Sequence, residues 1–515
     1  MPARSCGRPP DPNDPGLLTV AQTSLLTDQY ELAMASSYLA RGMNETAVFE
    51  LFVRQLPVRR RWLLAAGLGP TLAIVRQMRF GEEELEYLRS LGFGTPFLDY
   101  LASFRFSGRI DAVPEGTIVF ANEPLLRVTA PRIEAQLLET LLLNQINFQT
   151  MVATKAARIA LAAGGGSPAG ERLIDFSPRR DPGADAAMKA ARAAAIAGSS
   201  GTSNLAAAMR YGLAPMGTMA HSYVMSFKRE EDAFRAFMED FPGNALMLVD
   251  TYDTIDGVRH AIAAARSTGV PLAGVRLDSG DLLALSRQTR ALLDAAGHSN
   301  ARIVASGDLE EGRIAELVAK HAPIDSFGVG TDLGTSRDSP VVNGIYKLVA
   351  HQVDGAWRDV RKRSPQKATV PGAKQVFRDY GEGEMRGDVI GRAEEQLPGN
   401  RLLVPFVRSG HLVCEESLEE MRERARGELM ALPDSLRELD GNGALYPVEY
   451  SAACLSALGA DSARLRISTD RAAGAARMTA GSRSGRLPPP SQPARSPDVS
   501  HTQARPSSPR DRRRA

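Results

Sequence analysis

The sequence lacks the features that mark membrane and secreted proteins. It contains no run of 18 or more apolar residues, which predicts that nothing in it spans a membrane. Residues 1–16 are polar and rich in proline, without the apolar stretch of a secretory signal. The three cysteines, Cys6, Cys414 and Cys454, are an odd number without metal-site spacing. These absences predict reduced thiols in a cytoplasmic protein.

Net charge is also nearly absent, and its distribution is uneven. The 515 residues carry a formal net charge of +2, with 43% hydrophobic and 24% charged residues, as in an ordinary soluble globular protein. Residues 471–515 hold 10 Arg and 2 Asp, a net +8, so the preceding 470 residues carry −6. This mildly acidic body removes the main electrostatic argument for nucleic-acid binding.

The chain is long enough for two or more domains, and its two ends differ from its body. Residues 1–17 and 470–515 are expected to be disordered, since the latter have almost no apolar side chains. Thr27 or Asp28 is predicted to cap a helix that contains Tyr30 and Glu31. A long apolar helical region is expected over residues 133–162, ended by three glycines.

From residue 172 onward, short apolar runs alternate with helical stretches. Predicted strands are residues 173–176, 213–216, 245–249, 272–277, 303–305 and 326–329. Predicted helices are residues 185–197, 230–238, 255–267, 282–296 and 309–320. Alternation of this kind predicts a parallel sheet, open or closed as a (β/α) barrel, and the number of repeats favours a barrel that could be irregular.

Polar residues follow each predicted strand directly. These loops are residues 177–180, 217–222, 250–253, 278–281, 306–308 and 330–332. Because the carboxyl ends of barrel strands meet at one mouth, we expect the loops to surround one site. Any single aspartate among them has an alternative role as a helix cap.

Several of these loops have the chemistry of anion binding. Gly307 and Gly330 with Thr331 resemble phosphate cradles, where backbone N–H groups approach an anion closely. The carboxylates of Asp278 and Asp281 would suit hydrated Mg²⁺ or a ribose diol. Together the loops predict a site for an anionic sugar phosphate.

Two further features predict a second, small acidic substrate and a reactive group. Arg179 and Arg180 could hold a planar carboxylate through paired hydrogen bonds. His221 stands among small and hydroxyl-bearing residues that leave room for a bulky anion, although a packed core histidine is the alternative.

Eight motifs, in order, resemble those of nicotinate phosphoribosyltransferases. They are LLTDQY (25–30), NQINFQT (144–150), ATKAAR (153–158), GTMAHS (217–222), RLDSGD (276–281), FGVGT (327–331), GIYKL (344–348) and PGAKQVFR (371–378). The resemblance extends over about residues 20–455.

The resemblance implies a type II phosphoribosyltransferase fold, an irregular α/β barrel with a second α/β domain formed from both ends of the chain. The N-terminal domain would span residues 18–150 and the barrel residues 151–340. Residues 341–460 would return to the N-terminal domain. The family also implies a homodimer in which Tyr30 enters the neighbouring subunit's active site.

The resemblance further implies the reaction and the roles of individual residues. The family joins nicotinate to 5-phosphoribosyl 1-pyrophosphate (PRPP), giving nicotinate mononucleotide and pyrophosphate, with ATP hydrolysis and Mg²⁺. His221 would be the histidine phosphorylated from ATP, with Asp250 beside it. The implied nicotinate-binding residues are Tyr30, Phe176, Arg179, Ser203, Thr218 and Arg276. The implied sugar-phosphate residues are Arg276, Asp278, Gly307, Asp308, Gly330 and Thr331.

Departures from the family pattern leave alternatives open. Ser177 and Pro178 replace a glycine and a larger apolar residue before the arginines, and proline fixes φ and lacks an N–H. A nicotinamide-using relative would have aspartate at the position of Ser203. A non-catalytic metabolite-binding homologue is the alternative from a different functional class.

The basic C-terminal tail is predicted to be dispensable. It contains 7 Pro and 10 Arg and too few apolar groups to offset the entropy of ordering. A chain ending at residue 470 should therefore keep the melting temperature and the rate of mononucleotide formation of the full chain. Loss of most of the activity, or of the folded state, would contradict this prediction.

Overall fold

In the part of the chain that the computed structural model describes, four β-sheets of seven, six, four and two strands form the framework. The structure describes residues 21–364, 367–439 and 445–458. The segments predicted to be disordered, residues 1–17 and 470–515, lie outside the described residues, as does Cys6. Cys414 and Cys454 are both free thiols.

Helices and strands alternate along most of the described chain. The helices are α1 (Gln29–Ala40), α2 (Leu68–Gln77), α3 (Glu82–Ser90), α4 (Thr95–Ala102), α5 (Arg132–Gln136), α6 (Glu139–Ala163), α7 (Ala184–Ile196), α8 (Leu205–Tyr211), α9 (His221–Met225), α10 (Glu230–Asp240), α11 (Thr254–Thr268), α12 (Leu282–Ala295), α13 (Glu311–Ala319), α14 (Thr331–Thr335), α15 (Leu418–Ala431), α16 (Asp434–Arg437) and α17 (Ala452–Leu458). The strands are β1 (Thr46–Val53), β2 (Leu63–Leu64), β3 (Arg109–Ala112), β4 (Ile118–Val119), β5 (Pro124–Pro131), β6 (Leu173–Asp175), β7 (Gly201–Thr202), β8 (Leu246–Leu248), β9 (Gly274–Leu277), β10 (Arg302–Ala305), β11 (Ser326–Val329), β12 (Gly344–Val353), β13 (Ala356–Asp359), β14 (Lys374–Gly381), β15 (Glu384–Arg392), β16 (Asn400–Arg401), β17 (Val404–Arg408), β18 (His411–Leu412) and β19 (Val448–Tyr450).

The seven-stranded sheet combines strands from distant parts of the chain, in the order β13-β12-β1-β5-β3-β17-β18. Strand β1 pairs antiparallel with both β5 and β12. Across the β1–β12 pair, the Phe49 and Tyr346 rings stack with centroids 5.0 Å apart. The Tyr346 hydroxyl donates to the carbonyl of Ala135, at 2.9 Å. A residue near 50 and one near 346 therefore share the same core.

The six-stranded sheet is parallel throughout, in the order β7-β6-β11-β10-β9-β8, and forms half of a barrel. Five of the six strands predicted from the alternation are confirmed within one or two residues. The five helices predicted between them are confirmed as α7, α10, α11, α12 and α13. Apolar strands bounded by polar loops gave a reliable signal because both faces of a parallel sheet are buried.

The strand predicted over residues 213–216 is wrong. This segment makes only a single β-bridge, between Pro215 and Thr202 of the edge strand β7. The Thr202 N–H donates to Ala214 and the Met216 N–H donates to Thr202, at 3.0 and 2.9 Å. Proline has no N–H to extend the ladder, so pairing stops there.

The helical region predicted over residues 133–162 is confirmed and consists of two helices, α5 and α6, which are separated by Leu137 and Leu138. Gly164 follows the end of α6, as predicted. Helix α6 has 25 residues, but Glu139, Lys155 and Arg158 interrupt its apolar character. Within the described part of the chain, no helix combines the length and the apolarity needed to cross a membrane.

A buried lysine of α6 ties this helix to two loops of the parallel sheet. The Lys155 side chain is 0% exposed, and its Nζ contacts Glu311 at the start of α13. It also lies 2.6 Å from Asp332 of α14 and 2.9 Å from Asp338. Burial alone would lower the pKa of Lys155, but these carboxylates outweigh that effect and raise it. The lysine is therefore held charged in the interior.

Two arginines complete the neutralisation of these carboxylates. Arg158 donates to Glu311 at 3.1 Å, and Arg60 pairs with Asp338 at 2.8 Å. Burial would raise the pKa of Glu311, but the charges of Lys155 and Arg158 lower it. We call these six groups the Lys155 cluster: Arg60, Lys155, Arg158, Glu311, Asp332 and Asp338.

We predict that Lys155→Met strongly destabilises the fold. Methionine has a similar length, but it would leave three carboxylates without their shared cation, at a cost of about 3–5 kcal/mol. The matched control is Lys320→Met, which removes an exposed pair with Glu316 and should cost about 0.5 kcal/mol or less. Urea unfolding of both variants measures the difference. Equal stability of the two variants would contradict the prediction.

Candidate active site

The loops that follow the parallel strands meet at one edge of the half-barrel. Backbone hydrogen bonds continue the ladder just past the strand ends. The Phe176 N–H donates to Val329 (2.9 Å), the Ser203 N–H to Asp175 (2.9 Å) and the Ser306 N–H to Leu277 (2.8 Å). Neighbouring strand-end loops are thereby fixed against one another.

His221 is the first residue of the short helix α9, and the preceding Ala220 is extended. Its Nδ1 lies 3.1 Å from the Thr251 hydroxyl, and its Nε2 lies 3.9 Å from Oδ2 of Asp278. The side chain is 42% exposed. This is not the setting of a packed core histidine, because the ring is held by polar groups on two loops and remains open to a ligand.

Asp250 connects its own loop to the loop at residues 278–281. Within the described residues it makes no hydrogen bond to the His221 imidazole. Its Oδ2 accepts the Asp278 N–H at 3.1 Å and the Ser279 hydroxyl at 2.7 Å. Its Oδ1 is buried and has no hydrogen-bond partner among the described residues. Asp250 therefore fixes the loop at Asp278 and keeps one carboxylate oxygen free.

Asp278 is the centre of a small polar network. Its Oδ1 accepts from Arg276 at 2.5 Å and from the Ser306 hydroxyl, which also accepts from Arg276 Nε at 2.7 Å. Burial would raise the pKa of Asp278, but the hydrogen bonds from Ser306 and Arg276 outweigh it and lower the pKa. Asp278 is thus an anion that directs Oδ2 towards His221.

Phe176 and Arg276 come together, as a planar ligand pocket would require. The Arg276 guanidinium lies 5.1 Å from the centroid of the Phe176 ring. Phe176 also lines a cavity of about 350 Å³ with Ile174, Pro215, Met216, Gly217, Gly243, Asn244, Leu246 and Val304. An aromatic ring beside a cation at the edge of this cavity suits an aromatic acid.

Thr218 contacts a residue of that cavity's lining, and Ser203 lies in the loop after β7. The Thr218 hydroxyl donates to the carbonyl of Leu246, which is a cavity residue. Ser203 follows β7 directly, and its N–H is fixed to Asp175. Asp175 itself is buried, and burial raises its pKa.

The arginine loop, residues 177–183, forms a tight turn after β6. The Ser177 carbonyl accepts the N–H groups of Arg180 and Asp181, and the Ser177 hydroxyl donates to Asp181 at 3.0 Å. Arg179 and Arg180 are exposed, and neither has an ion pair with the residues that the structure describes. The two guanidinium groups are therefore free to meet an anion.

Asp181 presses this loop against α14. An added Cβ on Gly334 would lie 1.7 Å from Asp181 Oδ1, so only glycine allows this approach. Burial, helped by the nearby charge of Asp175, raises the pKa of Asp181 to about 6 despite the Ser177 hydrogen bond. Pro178 is compatible with the turn, since the turn uses other N–H groups.

The two predicted phosphate loops have different geometries. Gly307 has φ of +86°, and a Cβ there would lie 1.8 Å from the Asp278 carbonyl, so the position requires glycine. Asp308 also has a positive φ, of 45°. Gly330 immediately precedes α14, which begins at Thr331. The Asp332 carboxylate beside Thr331 is taken up by the Lys155 cluster.

Tyr30 lies apart from these loops, in the first turn of α1. Its side chain is 48% exposed. Burial, with the nearby carboxylates of Glu139, Glu31 and Asp28, raises its pKa. The described chain does not connect Tyr30 to His221 by any hydrogen bond.

The carboxylates near His221 differ in whether they have an oxygen free to bind a divalent cation. Asp281 caps α12, where its Oδ1 accepts the N–H groups of Leu283 and Ala284 at 3.1 and 3.3 Å. Asp250 Oδ1 and Asp278 Oδ2 are better candidates, because the first is buried without a partner and the second faces the open histidine. Two carboxylate oxygens with waters are a common set for Mg²⁺.

A second acidic group, Glu310, Glu311 and Asp332, brings three carboxylate oxygens within 4.8 Å of one another. Lys155 pairs with two of these residues, and Glu310 caps α13. Protein cations already neutralise this group, so it does not fit a metal ion.

Sequence reasoning did not identify Thr251, Ser279 or Ser306 as individual site residues. All three lie in the strand-end loops that were predicted. Their hydroxyls act by orienting His221, Asp250 and Asp278. The position after a strand was the available signal, but a hydroxyl's partner is decided only by the folded loop.

Models of two nicotinate phosphoribosyltransferase (NAPRTase) domains match this chain. The model of the NAPRTase N-terminal domain matches residues 25–147, and the model of the NAPRTase family matches residues 172–383. Together these spans cover well over half of the 515 residues.

Individual relatives agree with the family match. A nicotinate phosphoribosyltransferase of Mycobacterium tuberculosis is 46% identical over 433 residues, covering 83% of this chain and 91% of the relative. The Bacillus subtilis enzyme is 42% identical over 392 residues, covering 74% and 79%. The crystal structure of human nicotinic acid phosphoribosyltransferase superimposes with a TM-score of 0.73 at 27% identity, covering 84% of this chain and 99% of that one. This chain belongs to the nicotinate phosphoribosyltransferase family.

Proposed function

We propose that this enzyme joins nicotinate to PRPP, giving nicotinate mononucleotide and pyrophosphate in NAD salvage, with ATP hydrolysis coupled through a phosphohistidine on His221. The observation that carries the coupling is the open imidazole between Thr251 and Asp278, at the edge where the strand-end loops meet. The family membership carries the transferase activity.

Nicotinate would bind between Phe176 and the arginine loop. Phe176, already beside the Arg276 guanidinium, offers a ring face to the pyridine. Arg179 is exposed and unpaired among the described residues, and it would take the carboxylate through paired hydrogen bonds. Ser203 and Thr218 would complete the pocket from the neighbouring loops. Tyr30 of a neighbouring subunit would cover the other face of the ring.

PRPP would lie across the loops after β9, β10 and β11. Asp278 and Asp308 would accept from ribose hydroxyls, and Arg276 would neutralise phosphate charge. Gly307, Gly330 and Thr331 would let backbone N–H groups approach the phosphate closely. The glycosidic C–O bond then breaks as pyrophosphate leaves, and the pyridine nitrogen forms the new C–N bond.

Mg²⁺ would be held by Asp250 and Asp278, with Asp281 a weaker candidate because it caps α12. When bound, the cation would stabilise the negative charge that develops on pyrophosphate as it leaves. The contribution of the protein is positional: Asp250 fixes the Asp278 loop through the Asp278 N–H and the Ser279 hydroxyl.

In the ATP-dependent step, a ring nitrogen of His221 would attack the γ-phosphorus of ATP. The N–P bond forms as the P–O bond to ADP breaks, and ADP leaves with the electron pair. Water later cleaves the N–P bond and releases phosphate. A phosphate on His221 would lie beside Asp278 and so link ATP use to the binding of PRPP.

The enzyme would be a cytoplasmic homodimer with shared active sites, and its half-barrel sheet would be completed to an irregular barrel. The open edges of that sheet at β7 and β8 favour completion by further elements. Tyr30 is 48% exposed on α1, a helix that packs against α4 and α5, and this exposure favours its use by a partner. The N-terminal domain (18–150) and the returning segment (341–460) would form the second domain, because both contribute strands to the antiparallel seven-stranded sheet.

Two alternatives remain distinguishable by assay. A nicotinamide-using enzyme would prefer the amide, and a non-catalytic homologue would release no pyrophosphate from PRPP with either substrate. Pyrophosphate release with nicotinate or nicotinamide, with and without ATP, separates all three.

We predict that His221→Asn abolishes nucleotide-dependent phosphorylation and the stimulation of mononucleotide synthesis by ATP. Asparagine keeps a hydrogen-bonding edge but has no nucleophilic ring nitrogen. Some ATP-independent transfer should survive, because the departure of pyrophosphate does not require a covalent group on this residue. Acid-labile phosphate from labelled ATP and mononucleotide formed with and without ATP are the measurements.

The control for this variant is His321→Asn. His321 is exposed and has a φ of +51°, a conformation that asparagine tolerates well. It should keep phosphorylation, ATP stimulation and melting temperature. If folded His221→Asn still takes up acid-labile phosphate and still responds to ATP, His221 is not the acceptor.

We predict that Ser203→Asp shifts preference from nicotinate towards nicotinamide. The new carboxylate would stand beside buried Asp175 and face the substrate carboxylate, so like charges disfavour the acid. The ratio of kcat/KM for the two substrates is the measurement, with Ser203→Asn as the uncharged control. An unchanged ratio would place Ser203 outside the pocket.

A further inference from the structure

The orientation of the His221 ring depends on Thr251, an uncharged residue that lies outside the family motifs. The acidic neighbour, Asp250, uses Oδ2 for the Asp278 N–H and the Ser279 hydroxyl. The ring contact comes instead from the next residue, Thr251, whose hydroxyl lies 3.1 Å from Nδ1. Of the two adjacent side chains, Asp250 therefore fixes the Asp278 loop and Thr251 contacts the imidazole.

The two ring nitrogens of His221 differ in their surroundings and therefore in their access to a phosphate group. Nδ1 is turned to the protein, towards a half-buried hydroxyl at the end of β8. Nε2 is turned to Asp278 Oδ2 at 3.9 Å, beyond hydrogen-bond distance, with Arg276 and Ser306 behind that carboxylate. Only the Nε2 side therefore opens on the loops proposed to bind phosphate.

We propose that Thr251 is a positioning residue that accepts the Nδ1–H of His221 and thereby makes Nε2 the phosphoryl acceptor. A histidine ring nitrogen is nucleophilic only when it is unprotonated, and the hydrogen bond at the other nitrogen selects the tautomer. This inference rests on the proposed function, since it requires that His221 is phosphorylated.

In this role Thr251 keeps its hydrogen bond to the ring throughout the phosphoryl transfer from ATP. The Nε2 lone pair attacks the γ-phosphorus, the P–O bond to ADP breaks, and ADP leaves with that electron pair. The Nδ1 proton stays on the ring, which becomes a cationic phosphoimidazole. The Thr251 oxygen continues to accept the hydrogen bond from Nδ1–H and so stabilises the positive charge that forms on the ring.

The test uses the full-length enzyme with Thr251→Val, which keeps the branched shape and removes the hydroxyl. Thr251→Ser restores the hydroxyl on a smaller side chain, and Thr251→Ala is the second removal should valine lower the melting temperature. Thr268→Val is the matched control, because the hydrogen bonds of that hydroxyl lie outside the site. It donates to the carbonyl of Ala264 at 2.9 Å, accepts the Val270 N–H at 3.2 Å and contacts the sulfur of Met238.

We expect Thr251→Val and Thr251→Ala to slow phosphorylation from labelled ATP by roughly 10- to 100-fold, the range seen when partners that orient metal-ligating histidines are removed. The rate of mononucleotide formation without ATP should fall much less than the rate of phosphorylation, and Thr251→Ser should recover most of the loss. Phosphorus NMR of the denatured wild-type protein should show phosphate on Nε2, and Thr251→Val should show a mixture of the two isomers.

Three results would overturn the role of Thr251: wild-type phosphate on Nδ1, phosphorylation of Thr251→Val at the wild-type rate, or equal losses in Thr251→Ser and Thr251→Val. Failure of the proposed function looks different. In that case wild-type enzyme takes up no phosphate, or His221→Asn takes up as much as wild type.

Discussion

The active-site loops depend on one buried interaction, the ion pairing of Lys155 with Glu311, Asp332 and Asp338. The charged Nζ is withdrawn from water completely, so its stabilisation depends on all three carboxylates being in place. Glu311 and Asp332 belong to the two helices that follow the loops after β10 and β11. The long helix α6 therefore fixes both loops from behind through a single side chain.

Arg60 and Arg158 extend this constraint to other parts of the chain. Arg60 follows the first strand of the antiparallel sheet and pairs with Asp338, while Arg158 pairs with Glu311. Three buried cations face three carboxylates in this group, and the largely exposed Arg337 also reaches Asp332, at 3.2 Å. The parallel sheet that carries the site and the N-terminal segment that supplies Arg60 thus share one electrostatic centre.

On the His221 side of the same loops, hydroxyl groups fix the positions of the site residues, as the ion pairs of the Lys155 cluster fix the helices that follow. Ser306 and Arg276 donate to Asp278. The Ser279 hydroxyl and the Asp278 N–H donate to Asp250. The Thr251 hydroxyl contacts His221. Short polar side chains suit this task because they fix a direction without adding charge. The hydroxyl groups therefore add no further charge beside the carboxylates of Asp250 and Asp278.

Local signals predicted the order of the elements well. The alternation after residue 172 placed five of six parallel strands and all five helices between them, because buried parallel strands and amphipathic helices differ in their apolar period. Asp28 was correctly given as a candidate cap for α1. The segment at 213–216 failed because its apolar residues do reach the sheet edge, but Pro215 cannot extend a ladder.

The sequence by itself determined the family, the order of strands and loops, and the residue types that meet at the site. Only the tertiary structure decided which polar groups touch. Asp278 faces His221 while Asp281, three residues later, caps α12, although both were equal candidates for the same cation. Asp250 supports a loop and Thr251 supports the ring, although they are adjacent in the chain. The physical reason is that a side chain's partner is set by loop geometry across neighbouring strands, and no spacing along the sequence encodes that distance.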